Sequence, residues 1–183
     1  MGDRCWLRLN LHGNIDSKFT LVRVAKAILN ENLMDEIGGV AGDPNEILPV
    51  LQHIADCISY DNAPDFIGHE VNYANIDDLE NALQNLGVTY AVDHADGGSY
   101  GPGCYSWHPD RGRVEASTVQ DGGVCLEVST IRKALKDGGL EKLEGVLQSC
   151  EQANGEDLAA FTVSGSAERM LAKLQAVTAL KVA

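Results

Sequence analysis

Three predicted β-strands that follow one another in the second half of the chain constrain the fold more than any other feature. They span Cys104–Trp107, Arg113–Val119 and Val124–Val128, and turns at 108–110 and 120–123 join them. Strands joined by such short turns pair antiparallel, because a parallel pair needs a crossover of about a dozen residues or more. The pattern therefore predicts an antiparallel meander.

Hydrophobic periodicity predicts the elements around this meander. Apolar residues alternate over Cys5–Leu11, which is typical of a half-buried strand. A helix begins either at the capping-box sequence Asp43–Glu46 or nearer Leu48, since Pro49 is tolerated only within a first turn. Further strands are predicted at 66–73 and 88–92, and further helices at 17–30, 76–86, 129–136, 140–150 and 166–180.

The order of these elements predicts an α+β fold. In such a fold, helices pack on one face of a largely antiparallel sheet, and here the C-terminal part is helical. With 183 residues, of which 44% are hydrophobic, the chain is long enough to bury a core in one domain. We expect a single domain over residues 1–183, with a helical C-terminal subdomain at 129–183 as the alternative.

The charge distribution is the second constraint. The chain carries 27 acidic and 14 basic side chains, which is a formal net charge of −13. No Lys or Arg lies between Lys26 and Arg111, and this window of 84 residues holds 15 acidic side chains. Its charge is therefore −15, and the rest of the chain carries +2. We refer to residues 27–110 as the base-free window. The net charge disfavours direct binding to nucleic acid or to an anionic membrane.

The base-free window has two interpretations. The simpler one is a solvated face that keeps the protein soluble. The other is a surface that meets a basic protein groove, where carboxylates imitate the phosphates of nucleic acid and salt weakens association. We predict the second. The predicted partner-binding residues are Asp56, Asp61, Asp65, Glu70, Asp77, Asp78 and Glu80, with Tyr60, Tyr73 and Tyr100 as aromatic anchors or, alternatively, as core residues.

The glycine-rich loop Asp93–Gly103 is the alternative functional region. Asp93, His94 and Asp96 lie within four residues, and with His108 they could meet around a metal ion. Their spacing does not match a calcium-binding loop, and a hairpin connection with turn-capping aspartates is the structural alternative. This region supports a second prediction, a small metal-dependent enzyme or ligand-binding protein that uses residues 93–108.

No catalytic motif stands out. The chain has no H-E-x-x-H or G-x-x-x-x-G-K-[ST] sequence. Cys104 could pair with His94 or His108 as a nucleophile, but a cysteine that begins a strand is more often a small buried hydrophobe. The five cysteines are odd in number and widely spaced, which favours reduced thiols over a disulfide framework. We therefore predict no catalytic residue, no bound metal and no cofactor.

Signals for targeting or membrane insertion are not evident. Residues Met1–Trp6 lack the basic and apolar regions of a signal peptide. No run of about 18 apolar residues is present. We expect a cytoplasmic protein that spans no membrane.

Parts of the centre resemble uncharacterised proteins of phages and plasmids. The resemblance rests on Glu70–Glu80, Leu86–Tyr90, Gly97–Gly103 and Trp107–Pro109, and it covers residues 66–135. It implies a mobile-element accessory protein, a class in which small acidic proteins often inhibit host defence by mimicking nucleic acid, as anti-CRISPR and anti-restriction proteins do. Together with the charge, it predicts a non-enzymatic inhibitor that occupies the basic nucleic-acid-binding site of a host defence complex.

Overall fold

The computed structural model describes residues 3–33, 46–119 and 122–182, with side chains to residue 179. Its strands are β1 (Arg4–His12), β2 (Asn14–Ile15), β3 (Asp65–Asn72), β4 (Thr89–His94), β5 (Gly103–His108), β6 (Gly112–Ser117) and β7 (Thr162–Val163). Its helices are α1 (Lys18–Glu31), α2 (Leu48–Ser59), α3 (Asp77–Asn85), α4 (Val128–Ala153) and α5 (Gly165–Val182). Helix α2 begins at Leu48 with Pro49 in its first turn, and residues 43–45 of the predicted capping box lie outside the described ranges.

Five strands form one antiparallel sheet in the order β3-β1-β4-β5-β6. Strands β4, β5 and β6 form a meander, whereas β1 lies between β3 and β4. Strand β3 is one edge of this sheet. Strands β2 and β7 form a separate parallel pair. The prediction of an α+β fold with a largely antiparallel sheet and a helical C-terminal part is confirmed.

One face of the sheet carries the main hydrophobic core. Leu7, Leu9 and Leu11 of β1 point to this face and are fully buried, as are Phe66 of β3 and Tyr90 of β4. Helices α1, α2, α3 and α5 all contribute buried side chains to the same cluster. Burying one side chain of this size stabilises the fold by about 1.5–3 kcal/mol, so this shared core holds the four helices on the sheet.

Helix α4 packs on the opposite face of the sheet. Ser106 alternates with the core residue Tyr105 along β5, and its hydroxyl donates a hydrogen bond of 2.5 Å to the backbone oxygen of Gln152 near the end of α4. Gly155 follows α4 with a φ of 77°, and a Cβ there would lie 2.9 Å from the Cβ of Ala91. The prediction of helices on one face therefore holds for α1, α2, α3 and α5, and α4 covers the other.

Backbone breaks fall close to where the sequence predicts them. Helix α4 is kinked at Gly138 and Gly139, the second of which has a φ of 64°, so its two halves match the two helices predicted there. Strand β3 ends at Asn72, one residue earlier than predicted, because Tyr73 and Ala74 both adopt left-handed backbone conformations. Within the described ranges, no helix is both long enough and apolar enough to cross a membrane.

The predicted strand Val124–Val128 is wrong. Only a single bridge forms, between Val124 and Thr118, and the backbone N–H of Cys125 donates to the oxygen of Ser117. Val128 is already the first residue of α4 and is 61% exposed. Residues favourable for a strand did not form one here, because β-propensity depends on the burial that neighbouring strands provide.

A buried carboxylate joins α3 to the meander. Glu80 is only 6% exposed, and its oxygens accept hydrogen bonds from the Tyr90 hydroxyl at 3.0 Å and from Arg113 Nη1 at 3.1 Å. The guanidinium of Arg113 lies 3.6 Å from the centroid of the Tyr105 ring. Burial raises the pKa of both tyrosines, and the nearby Glu80 charge adds to that shift. The network therefore keeps both hydroxyls protonated and links one helix to three strands.

Replacing Glu80 with Ala is expected to lower the free energy of unfolding by about 2–3 kcal/mol, because the buried Tyr90 hydroxyl loses its acceptor and Arg113 loses a charged partner. The matched control is Glu115→Ala, since Glu115 pairs with the same Arg113 at 3.5 Å but is 74% exposed. That change should cost less than about 1 kcal/mol. Urea unfolding of both variants checks this, and equal losses would contradict it.

Candidate functional site

The predicted partner-binding acids lie on the edge strand β3 and on the elements next to it. Asp65 is the first residue of β3, and Glu70 lies near its end. Asp77 and Asp78 occupy the first turn of α3, where the side-chain oxygen of Asn75 accepts a hydrogen bond of 3.0 Å from the backbone N–H of Asp77. Negative charge is favourable in this turn because it meets the positive end of the helix dipole.

Arginines from outside the base-free window pair with three of these acids. Arg4 contacts the carboxylate of Glu70 where both side chains are exposed, and Arg8 Nε lies 3.7 Å from Asp65 Oδ2. Exposed pairs of this kind contribute less than about 1 kcal/mol, so a partner's base can compete for Glu70. Glu80 is the third acid. Its carboxylate is buried and cannot contact a partner, so Glu80 is removed from the partner-binding residues that the sequence predicts.

Three carboxylates come together where the end of α1 meets the start of α3. Burial raises the pKa of Glu31, the last residue of α1, and the charges of Asp78 and Asp77 raise it further. A hydrogen bond from the backbone N–H of Leu79 opposes this shift only in part. Glu31 and Glu70 also line a depression of about 560 Å³ at the edge of the sheet. Acidic charges that raise the pKa of a neighbouring carboxylate indicate a negative local potential.

One predicted tyrosine belongs to this surface and another does not. Tyr73 follows β3 and is 54% exposed. Tyr100 instead packs against the His94 ring, with 5.8 Å between ring centroids, and over Gly97, where a Cβ would lie 2.3 Å from the Tyr100 ring. Burial raises the pKa of Tyr100, and the nearby thiol of Cys5 adds to the shift. We define the acidic edge as Glu31, Glu70, Tyr73, Asp77 and Asp78.

Asp56 and Asp61 form a second exposed group near the other end of β3. The carboxylate of Asp56, on α2, accepts a hydrogen bond of 2.9 Å from the side-chain amide of Gln52. Asp61 follows α2 with a φ of 56°, next to Tyr60, which is 78% exposed. Strand β3, which is roughly 23 Å long at about 3.3 Å per residue, runs between this group and the acidic edge. The structure therefore places the exposed predicted acids in two groups.

A cavity of about 460 Å³ lies over the second face of the sheet, beside the loop predicted as the alternative functional region. Trp6 and Arg8 of β1 line it, with the Arg8 guanidinium 5.2 Å from the centroid of the Trp6 ring. Asp93 and His94 of β4 and Asn154, directly after α4, also line it. The volume is within the range of about 300–1,000 Å³ that is typical of small-molecule sites.

Buried titratable groups surround this cavity. Burial raises the pKa of Asp93, while the neighbouring charges of Arg8 and His94 act in the opposite direction. Burial also raises the pKa of Cys104 to about 11, and the charge of Asp93 and the neighbouring Cys150 add to that shift. A thiol with a raised pKa is a poor nucleophile. Cys104 is therefore a buried hydrophobe, as the more common interpretation of its position has it.

The loop does not assemble the metal ligands that its sequence suggests. His94 lies opposite Gly103 in the β4–β5 pair, whereas His108 lies at the other end of β5 opposite Gly112, about 17 Å along the strand. Residues 95–102 form the hairpin connection between β4 and β5. Within the described ranges, the His, Cys and Asp side chains that do converge come from α2 and β3.

Sequence reasoning missed the role of Glu31. The base-free window includes this residue, but Asp77 and Asp78 lie 46 and 47 positions further along the chain. The packing of α1 against α3 brings the three carboxylates together. No local sequence signal predicts this contact.

Comparison of the chain with protein-family models, with curated proteins and with solved structures finds no match. Functional proposals for this protein therefore depend on the chemistry of its own residues.

Glu31→Gln is expected to raise the midpoint of thermal unfolding at pH 7 by about 1–2 °C, since partial exposure screens the repulsion. The pKa of Glu31 is raised above its ordinary value of 4.5, so the folded state binds the proton more tightly and wild-type stability falls as the pH rises through the folded pKa. Below pH 4.5 the two proteins should unfold at the same temperature. Calorimetry across pH 4–8 measures this, with Glu144→Gln on α4 as the control. A gain that is constant with pH would contradict it.

Proposed function

We propose that this protein is a non-enzymatic acidic binding protein that docks its acidic edge on a basic, nucleic-acid-binding surface of a partner protein. The observation that carries the proposal is the convergence of Glu31, Asp77 and Asp78, where burial raises the pKa of Glu31 and the charges of Asp78 and Asp77 raise it further. A cluster of carboxylates such as this one is stabilised when a basic partner binds to it.

The surroundings of these carboxylates support a protein partner. Tyr73 stands exposed among them, and tyrosine is one of the residue types that dominate binding energy at protein interfaces. Glu70 adds a fourth carboxylate whose exposed contact with Arg4 is readily exchanged for a partner's base. An aromatic side chain surrounded by acids suits a basic groove that also contains an apolar surface for the ring to contact.

The spacing of the acids supports mimicry of nucleic acid. Asp56 and Asp61 lie near one end of β3 and the acidic edge lies at the other, and the strand between them is roughly 23 Å long, a length that covers about seven phosphates of one DNA strand at 3.4 Å each. A basic site built for a nucleic-acid backbone can contact both groups at once. The resemblance of residues 66–135 to proteins of phages and plasmids makes host defence complexes the first partners to test.

The cavity beside Asp93 favours a second candidate function, the binding of a small ligand. Its volume of about 460 Å³ and its mixed lining of Trp6, Arg8 and Asp93 suit a molecule with an aromatic or apolar body and one polar group. Native mass spectrometry of the purified protein after exhaustive dialysis should then show a retained small molecule, and Trp6→Ala should lose it. Wild-type protein that carries no adduct would count against this function.

Competition with nucleic acid tests the main proposal. Purified CRISPR effector and restriction complexes, each loaded with fluorescent nucleic acid, are titrated with the protein. We expect displacement from at least one complex, with an apparent affinity that falls more than tenfold between 50 and 300 mM NaCl. The triple variant Glu31→Gln, Asp77→Asn, Asp78→Asn should lose at least tenfold in affinity, because it removes the negative potential while keeping side-chain size.

The matched control removes three exposed acids from α4 by Asp137→Asn, Glu141→Gln and Glu144→Gln, and it should change the affinity less than twofold. An equal loss in both variants would mean that total charge, and no particular surface, drives binding. Displacement that is indifferent to salt would contradict the electrostatic mechanism. If the protein displaces nucleic acid from none of the complexes, the proposed class of partner is contradicted.

A further inference from the structure

Three potential metal ligands meet where α2 leads into β3. His53 and Cys57 lie four residues apart on α2, so both side chains project from the same side of the helix. Asp65 is the first residue of β3, and the connection 60–64 turns the chain so that this residue returns to the helix. One nitrogen, one sulfur and one carboxylate oxygen of these residues lie within 4.8 Å of one another.

Two of the distances within this group are close to those between ligands on one zinc ion. Tetrahedral zinc, with Zn–N of about 2.0 Å and Zn–S of about 2.3 Å, places its nitrogen and sulfur ligands about 3.5 Å apart. Cys57 Sγ lies 3.5 Å from His53 Nε2. Asp65 Oδ1 lies 3.8 Å from the same nitrogen, a few tenths of an ångström beyond the spacing of two bound ligands. Cys57 Sγ and the Asp65 carboxylate lie within 4.8 Å of each other, so zinc binding requires the carboxylate to move toward the other two ligands.

We propose that His53, Cys57 and Asp65 bind a zinc ion, with water at the fourth position. Imidazole, thiolate and carboxylate are the three side-chain ligands of protein zinc sites. The side chains of His53 and Asp65 are 22% and 39% exposed, so a metal ion and a water molecule can reach the group from solvent. The site stands independently of the proposed docking function, which uses the acidic edge.

Neighbouring residues already orient the ligands. The His53 ring packs edge-on against Phe66, with 5.3 Å between ring centroids. Arg8 Nε lies 3.7 Å from Asp65 Oδ2, which leaves Oδ1 directed at His53. His53 Nε2 donates a hydrogen bond of 2.7 Å to the backbone oxygen of Asp65, so zinc binding at this nitrogen requires that it lose its proton and that the ring turn away from this oxygen. Such supporting contacts typically change metal affinity about 10–100-fold.

A catalytic thiol–imidazole–carboxylate triad fits the same residues less well. In a triad the histidine uses one ring nitrogen for the nucleophile and the other for the carboxylate. Here Cys57 and Asp65 both approach Nε2, and Cys57 lies 4.0 Å from Nδ1. When two potential ligand atoms lie near the same ring nitrogen, a metal ion placed between the three atoms can bind all of them.

Cobalt titration of the full chain tests the proposal. The protein is reduced, stripped with a chelator, dialysed and titrated with Co²⁺, which reports tetrahedral geometry and thiolate ligation in its absorption spectrum. We expect one equivalent to bind with a thiolate-to-cobalt charge-transfer band, and Zn²⁺ to displace it. Cys57→Ser should abolish that band. His53→Gln should weaken Zn²⁺ binding by more than about 100-fold, beyond the usual loss of an outer-shell partner.

Two controls separate this site from the other thiols. Cys150 lies close to Cys104 and Cys125, and these three thiols could compete for cobalt. The variants Cys150→Ser and Cys125→Ser each remove one of them and should leave the band unchanged. Thermal unfolding with and without Zn²⁺ confirms that each variant folds, and wild type should gain stability with zinc while Cys57→Ser should not. A wild-type protein without the band, a band that survives Cys57→Ser, or a band lost in Cys150→Ser would each overturn the proposal.

Discussion

The buried contact between Glu80 and Arg113 is the interaction on which the arrangement of this molecule depends. It ties α3, which follows the edge strand, to β6 at the far side of the meander, and through Tyr90 and Tyr105 it includes β4 and β5 as well. Because the carboxylate is buried, removing it would leave its hydrogen-bond partners unpaired. That loss lowers the free energy of unfolding more than the loss of an exposed pair does. The first turn of α3, with its two aspartates, is held in place as a result.

This contact also changes the meaning of the charge asymmetry. Along the chain, 84 residues carry no base, but in space three arginines from outside that window approach its acids. One acid is buried by its arginine and two are paired at the surface. The acidic edge combines Glu70, which pairs with Arg4 at the surface, with Glu31, Asp77 and Asp78, which come together where α1 ends against α3.

Strand β3 connects the two proposed sites without joining them. Its last residues lead into the acidic edge, and its first residue, Asp65, faces His53 and Cys57. Asp65 also contacts Arg8, so its charge is already partly balanced and contributes little to a docking surface. The carboxylates of this region therefore divide into a group suited to a basic protein and one suited to a metal ion.

The sequence by itself determined most of the helices and strands, because hydrophobic periodicity, helix caps and glycine breaks act over a few residues. Examples are the capping of α3 by Asn75 and the kink of α4 at Gly138 and Gly139. The failed strand 124–128 shows the limit, since its pairing depended on burial elsewhere. Once α2 forms, the four-residue spacing of His53 and Cys57 places both on one side of the helix. Only the tertiary structure decided that Asp65 returns to them, that Glu80 is buried and that Glu31 meets α3, because each contact joins residues that are distant in the chain and is created by packing.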